Sequence, residues 1–499
     1  MKQSINFSNF VEMSDLICYT AIIEKKDGSD LFMKQFKHDF LWGASTSAYQ
    51  VEGAYNEGNK GLSVQDVKTV LPGTPDFKVA SDHYHHFKED IALMAEMGFK
   101  TYRFSIAWTR IIPDGDGEIN PQGIEFYSKL IDECLKYKIE PLITMYHFDL
   151  PYELEKKGGW LNRKTIDAFL KYAKVLFKEF GTRVKYWLTI NEENMMILHG
   201  AAIGTVNGSA AEVQKILYQQ NHHMLIAQAL TMKLLHKMVV GAKIGPAPNI
   251  SYVYPKTCKP EDILAMQNFS AIRNWLYLDM AVYGRYNTVA WNFMEKTGIT
   301  PTIEAGDMEA LKDAKPDFIA FNYYATATVA DGSAILADDE TGDQQISIGM
   351  KGFYAGSKNE YLSKTQFGWE VDPEGFRITL REIYDRYHLP LIVTENGLGA
   401  HDEVNGNGEI IDDYRIEYLQ KHIMQAKLAV DDGVELLGYC PWSAIDLIST
   451  HQGFVKRYGF VYVNRTEDDL KDMKRLKKKS FYWYKKVIAT NGEDLTNKA

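Results

Sequence analysis

TYRFSIAW (101–108) and EPLITMYH (140–147) are short runs, apolar where they begin and polar or aromatic where they end, with a stretch of helical periodicity between them. That unit reads as strand, crossover helix, parallel strand. Outward from this pair the unit recurs in FLWGAST (40–46), VKYWLTINEE (184–193), AKIGPAPN (242–249), PDFIAFNYY (316–324), PLIVTENG (390–397) and LLGYCPWSAID (436–446). Eight strands alternating with helices predict an α/β protein built as a single (β/α)8 TIM barrel. Its chemistry is then expected at the C-terminal ends of the strands. The glycine- and acid-rich stretch near 331–344 reads as an insertion between the sixth strand and its helix. Residues 1–32 share none of the rhythm and precede a second methionine, Met33. They read as an N-terminal extension or a misplaced start, with the catalytic domain over 33–499.

The 499 residues carry a formal net charge of −10, which argues against nucleic acid or an anionic membrane as a partner, because both call for a cationic surface. No run approaches the roughly 18 apolar residues of a membrane span. Cys18, Cys134, Cys258 and Cys440 are scattered without a CxxC pair, so they read as free thiols in a reducing compartment. The expected location is the cytoplasm. HYHH (83–86) has metal-like spacing, yet it falls in a helical stretch with no carboxylate or cysteine set expected around it. It reads as helix surface and packing, and no metal or organic cofactor is called for. Oligomeric state is left open, a homo-oligomer being compatible with the sequence.

Strand four ends in TINEEN and strand seven in VTENG, each placing a glutamate beside an asparagine at the expected catalytic rim. Hydrolysis of a glycosidic bond needs one carboxyl to protonate the leaving oxygen and another to attack or stabilise the anomeric carbon. Glu192 and Glu395 are the candidates. Either motif alone is more often a solvated turn; their joint placement gives the pair its meaning.

LWGASTSAYQVEGA (41–54), YRFSIAWTRIIP (102–113), YHFDLP (146–151), TINE (189–192), DFIAFNYY (317–324), GWEVDPEGFR (368–377), IVTENG (392–397) and KRYGFVYV (456–463) occur in order along the chain. Through them it resembles glycoside hydrolase family 1 from about residue 36 to 491. The resemblance implies Glu192 as acid/base, Glu395 as nucleophile and retention of configuration, with the carboxyls ~5–5.5 Å apart. It places Arg103 beside the nucleophile, where its charge would keep Glu395 ionised, and Tyr324 close to the same group. Gln50, His147, Asn191, Trp442 and Asn249 match the positions that bind the sugar ring. Without the family, each would read as a polar residue satisfied by the backbone. Two positions depart from the common pattern: Phe148 stands where many members have tryptophan, and Glu193 where proline or an aliphatic residue is common. On a strand, Glu193 is expected to point away from the pocket unless the strand has already ended.

Members acting on unmodified glucosides usually carry Glu-Trp seven and eight residues after the tryptophan matched by Trp442; here Ser449-Thr450 stands there. A 6-phosphate would not tolerate that glutamate, since like charges 4 Å apart at an effective dielectric of 20 repel by roughly 4 kcal/mol. Ser449, Lys456 and Tyr458 offer a hydroxyl, an ammonium and a phenol suited to phosphate oxygens. Their spacing resembles the 6-phospho-β-glycosidase branch of the family, and within that branch the small Thr450 resembles the phospho-glucosidases and favours glucose over galactose. The resemblance thus implies a retaining enzyme acting on phosphorylated β-glucosides such as cellobiose-6-phosphate or aryl glucoside-6-phosphates. An unphosphorylated β-glucosidase, a 6-phospho-β-galactosidase and a non-catalytic sugar-binding barrel are the alternatives.

Overall fold

All eight expected runs form strands in the computed structural model, which describes residues 34–70, 73–198, 210–333 and 349–497. They are β1 (Leu41–Ser45), β2 (Thr101–Ser105), β3 (Glu140–Tyr146), β4 (Tyr186–Asn191), β5 (Lys243–Ala247), β6 (Ile319–Asn322), β7 (Leu391–Glu395) and β8 (Leu436–Tyr439). Every pairing between them is parallel, in the order β5-β4-β3-β2-β1-β8-β7-β6. The two edges meet: Asn249 bridges Asn322, Asn322 N–H donates to Pro248 O at 3.0 Å, and Asp317 N–H donates to Ile244 O at 2.9 Å. Closure of the sheet removes its exposed edges.

Helices cover the outside. α1 (His83–Met97), α2 (Pro121–Lys136), α3 (Lys164–Phe180) and α4 (Ala210–Met238) follow the first four strands. α5 (Leu276–Tyr283) lies in a longer crossover after β5, and α6 (Pro373–Tyr387), α7 (Asp413–Asp431) and α8 (Lys479–Ala489) follow the last three strands. α3 shows the sequence logic: Ile166, Phe169, Tyr172, Ala173, Leu176, Phe177 and Phe180 recur at three- and four-residue spacing and are all buried. Within the barrel, Leu142, Leu188, Ala247, Phe318, Ala320 and Ile392 pack as their own cluster, separate from the larger core. Fully burying each of its leucine, isoleucine and phenylalanine side chains contributes about 1.5–3 kcal/mol. This cluster is the floor beneath the site.

The segment between β6 and α6 holds short strands, among them Ala327–Ala330 and Tyr354–Ser357, paired antiparallel outside the barrel. Residues 334–348, most of the expected insertion, lie outside the described residues, as do residues 1–33. The chain divides into Met1–Lys34 and Gln35–Ala499. Among the described residues no helix is long and apolar enough to cross a membrane. Cys134, Cys258 and Cys440 are free thiols, and Cys18 falls outside the described residues.

The HYHH stretch opens α1, but its surroundings differ from those expected. His83 is buried against Asp90 (Nδ1 to Oδ2, 2.7 Å), while the exposed His85 meets both Asp82 (2.6 Å) and Glu57 (3.0 Å). Carboxylates therefore do surround these histidines. Asp82 lies between His85 and His86, which also meet Glu57 and Glu89, while His83 turns inward to Asp90, because side chains at successive helical positions diverge by about a quarter turn or more.

Candidate active site

Both glutamates follow an irregularity in their strands. Between Leu188 and Asn191, β4 spends one more residue than its partner β5, and between Val393 and Glu395, β7 does the same against β6. A bulge of this kind re-aims the side chains that follow it. Past the first, Glu192 leaves the strand with φ 47°, a left-handed conformation uncommon for a residue with a Cβ, and its N–H donates to Ala247 O at 2.8 Å. Glu192 and Glu395 both line a pocket of ≈ 490 Å³, counting its open mouth.

Arg103, fully buried on β2, holds Glu395. Its Nη1 donates to Glu395 Oε1 at 2.5 Å, its Nη2 to Asn191 Oδ1 at 2.6 Å and its Nε to Thr144 Oγ1 at 2.8 Å. The Tyr324 hydroxyl donates to the other carboxylate oxygen, Glu395 Oε2, at 2.5 Å. Glu192 Oε1 accepts from Asn249 Nδ2 at 2.9 Å and from Asn322 Nδ2 at 2.8 Å. Asn322 was not foreseen from the sequence, although it sits in the quoted FNYY motif as the polar end of β6. Arg273 was likewise missed. It projects from the π-helical turn Ala271–Trp275 and donates to both Asn249 O and Asn249 Oδ1 at 2.6 Å. With its oxygen held by Arg273, the Asn249 amide must present its N–H to Glu192.

These surroundings separate the two carboxyls. Burial, then the charge of Glu395, raises Glu192 to about 7, against the pull of the Asn322 and Asn249 amides. Glu395 is also raised by burial, but Arg103 and the Tyr324 hydroxyl oppose the rise. The expected effect of Arg103 is present as a counterweight to burial, and the net direction is upward. A shared proton therefore rests on Glu192, because Glu395 has the cation.

The remaining expected residues gather around this pair. Asn191 Nδ2 donates to His147 Nε2 at 3.1 Å, which leaves Nδ1 to carry the ring proton of a histidine kept neutral by burial and by Arg103. His147 stacks on Trp442 with ring centroids 6.0 Å apart. Gln50 donates to Ile448 O at 2.8 Å and lines the pocket, as do Trp442, Ser449 and Tyr458. Lys456 is buried behind that wall. Its Nζ lies 3.7 Å from the centre of the Trp369 ring and donates to Gln452 Oε1 at 3.2 Å. Glu193 stands apart from the pocket: the strand ends at Asn191, and Glu193 opens the helix Glu193–Leu198 as a buried residue. Burial raises its carboxyl to about 8, and neither oxygen has a hydrogen-bond partner among the described residues.

A closed (β/α)8 barrel carrying two differently tuned carboxyls at its rim defines a glycoside hydrolase. Comparison with known proteins gives the family. Residues 32–493 match the model of glycosyl hydrolase family 1. The aryl-phospho-beta-D-glucosidase BglC of Bacillus subtilis is 47% identical over 473 residues, covering 93% of this chain and 99% of that protein. The 6-phospho-beta-glucosidase of Dickeya chrysanthemi is 44% identical, covering 92% of this chain and 99% of that protein. Among solved structures, the family 1 b-glucosidase from Thermotoga maritima superposes with a TM-score of 0.83 at 34% identity, covering 93% of this chain and 100% of that one. The chain belongs to glycosyl hydrolase family 1.

Proposed function

We propose that this enzyme is a retaining 6-phospho-β-glucosidase. Glu395 attacks the anomeric carbon while Glu192 gives its proton to the glycosidic oxygen, so the C–O bond breaks and the aglycone leaves as an alcohol. Esterified Glu395 no longer bears the charge that raised Glu192, whose pKa falls and which becomes a base. It then takes a proton from water; the oxygen of that water displaces Glu395, and β-glucose 6-phosphate departs with its configuration retained. Gln50, His147, Asn191, Asn249 and Trp442 are assigned to the sugar ring, and Arg103 and Tyr324 to Glu395.

One observation carries the phosphate assignment. Ser449 Oγ and Lys456 Nζ converge on a single acceptor, Gln452 Oε1, at 3.4 and 3.2 Å, beside the pocket that holds both glutamates. Two converging donors, one of them cationic, suit a phosphate oxygen. The activities for which the Bacillus and Dickeya relatives are named support the same substrate class. The small Thr450 supports glucose, and free thiols support a cytoplasmic setting.

Paired nitrophenyl β-glucosides, with and without the 6-phosphate, test this reading. Lys456→Ala is expected to raise KM for the phosphorylated substrate and leave the other nearly unchanged. Ser449→Glu adds a like charge and is expected to cost the phosphorylated substrate about a hundredfold or more in kcat/KM, while shifting preference toward the plain glucoside. A wild-type preference for the plain glucoside overturns the proposal.

A further inference from the structure

We propose that Gln452 is a displaceable internal ligand that sets the affinity of the phosphate site. Its carboxamide oxygen holds the point between Ser449 and Lys456 that a substrate phosphate oxygen must take. This rests on the phosphate reading above and extends it to a residue that lies outside the Ser449, Lys456 and Tyr458 set.

An ammonium has only hydrogens to offer, so the Gln452 atom facing Lys456 must be its oxygen, and the Ser449 hydroxyl donates to that same oxygen. The turn that carries Gln452 is fixed. Ser449 N–H donates to Gly453 O at 2.9 Å, the Thr450 and Tyr49 hydroxyls bond at 3.1 Å, and Glu467 accepts from Phe454 N at 2.9 Å and Val455 N at 2.6 Å. Lys456 is fixed too. Its stem passes so close to Gly399 that a Cβ there would lie 2.4 Å from Lys456 Cγ, and its ammonium rests against Trp369 at 3.7 Å and Phe367 at 4.8 Å. With turn and cation both held, the rotatable element is the half-buried Gln452 side chain.

A dianionic phosphate outcompetes a neutral amide, because hydrogen bonds to a charged acceptor are about twice as strong. Part of that gain is spent in moving Gln452 aside. The residue therefore weakens the grip on phosphate and on a sugar-phosphate product, which favours release after turnover.

The test is Gln452→Ala, assayed with nitrophenyl β-glucoside 6-phosphate and with inorganic phosphate as competitive inhibitor. Loss of one hydrogen-bonding competitor is expected to lower both KM and the phosphate Ki by about three- to tenfold. Gln452→Glu, which fills the same point with a carboxylate, is expected to raise both. A rise in Ki for the alanine variant would make Gln452 a ligand of the bound phosphate and overturn the inference, as would no change. Lys456→Ala keeps the two levels apart: if it alters neither KM nor Ki, the phosphate reading itself fails, whatever the Gln452 variants do.

Discussion

A buried general acid must keep its proton at working pH without losing the ability to give it up, and Glu192, raised to about 7 by burial and by Glu395, meets that demand. Glu192→Ala is accordingly expected to slow substrates with poor leaving groups far more than activated nitrophenyl ones, which need little protonation. Equal losses on both would reassign the acid. Glu395→Gln is expected to abolish turnover of either kind, since an amide neither attacks nor stabilises the anomeric carbon. Glu193 has a different consequence. Its carboxyl is raised to about 8 in the fold, so the folded state binds that proton more tightly than the unfolded chain. The sign follows: the group costs nothing below the ordinary glutamate range, and stability falls as pH rises from there through about 8. Glu193→Gln is expected to match wild type near pH 5 and to be more stable at pH 9 by on the order of a few kcal/mol. Melting curves at the two pH values check this, and equal melting temperatures at pH 9 would contradict it.

Part of the site was legible at the level of elements, because two barrel strands that each end in a glutamate beside an asparagine point jointly to the C-terminal rim. Glu192 and Glu395 were found in this way, while Arg103, Asn191 and Asn249, the last just beyond β5, were placed by the family match. What sequence could not supply was geometry that depends on partners far along the chain. The one-residue bulges before Glu192 and Glu395 arise from pairing with β5 and β6, and no local pattern marks them. Arg273 lies in the middle of an unremarkable helical stretch; only the π-helical turn, which brings it to Asn249, gives it a role. Gln452 was missed although Lys456 is only four residues on, because it is the turn closed by Ser449 N–H and Gly453 O that brings the two side chains together. The expectation for Glu193 turned on where β4 stops. Strand ends are set by the hydrogen bonds of the neighbouring strand, so the sequence alone left that point open.

For the whole molecule, the segment just before β1 already belongs to the barrel, with Phe36 and Phe40 buried against Trp42, and the family match begins at residue 32. Starting translation at Met33 is expected to leave kcat/KM and Tm nearly unchanged, and a large fall in either would give the first residues a structural role. In the proposed reading, the barrel's larger task is to bring a nucleophile from β7, an acid from the end of β4 and a phosphate grip from beyond β8 to the one pocket that Glu395, Glu192, Ser449 and Tyr458 line. A single measurement tests that joint claim: mass analysis of the enzyme after exposure to a 2-deoxy-2-fluoro-β-glucoside 6-phosphate with an activated leaving group. Fluorine slows both steps, and the good leaving group lets the glycosyl-enzyme accumulate. The account predicts a fluorinated phosphoglucosyl group on the peptide bearing Glu395, formed much faster than with the unphosphorylated analogue. Label on another carboxylate, or faster labelling by the unphosphorylated sugar, would contradict it.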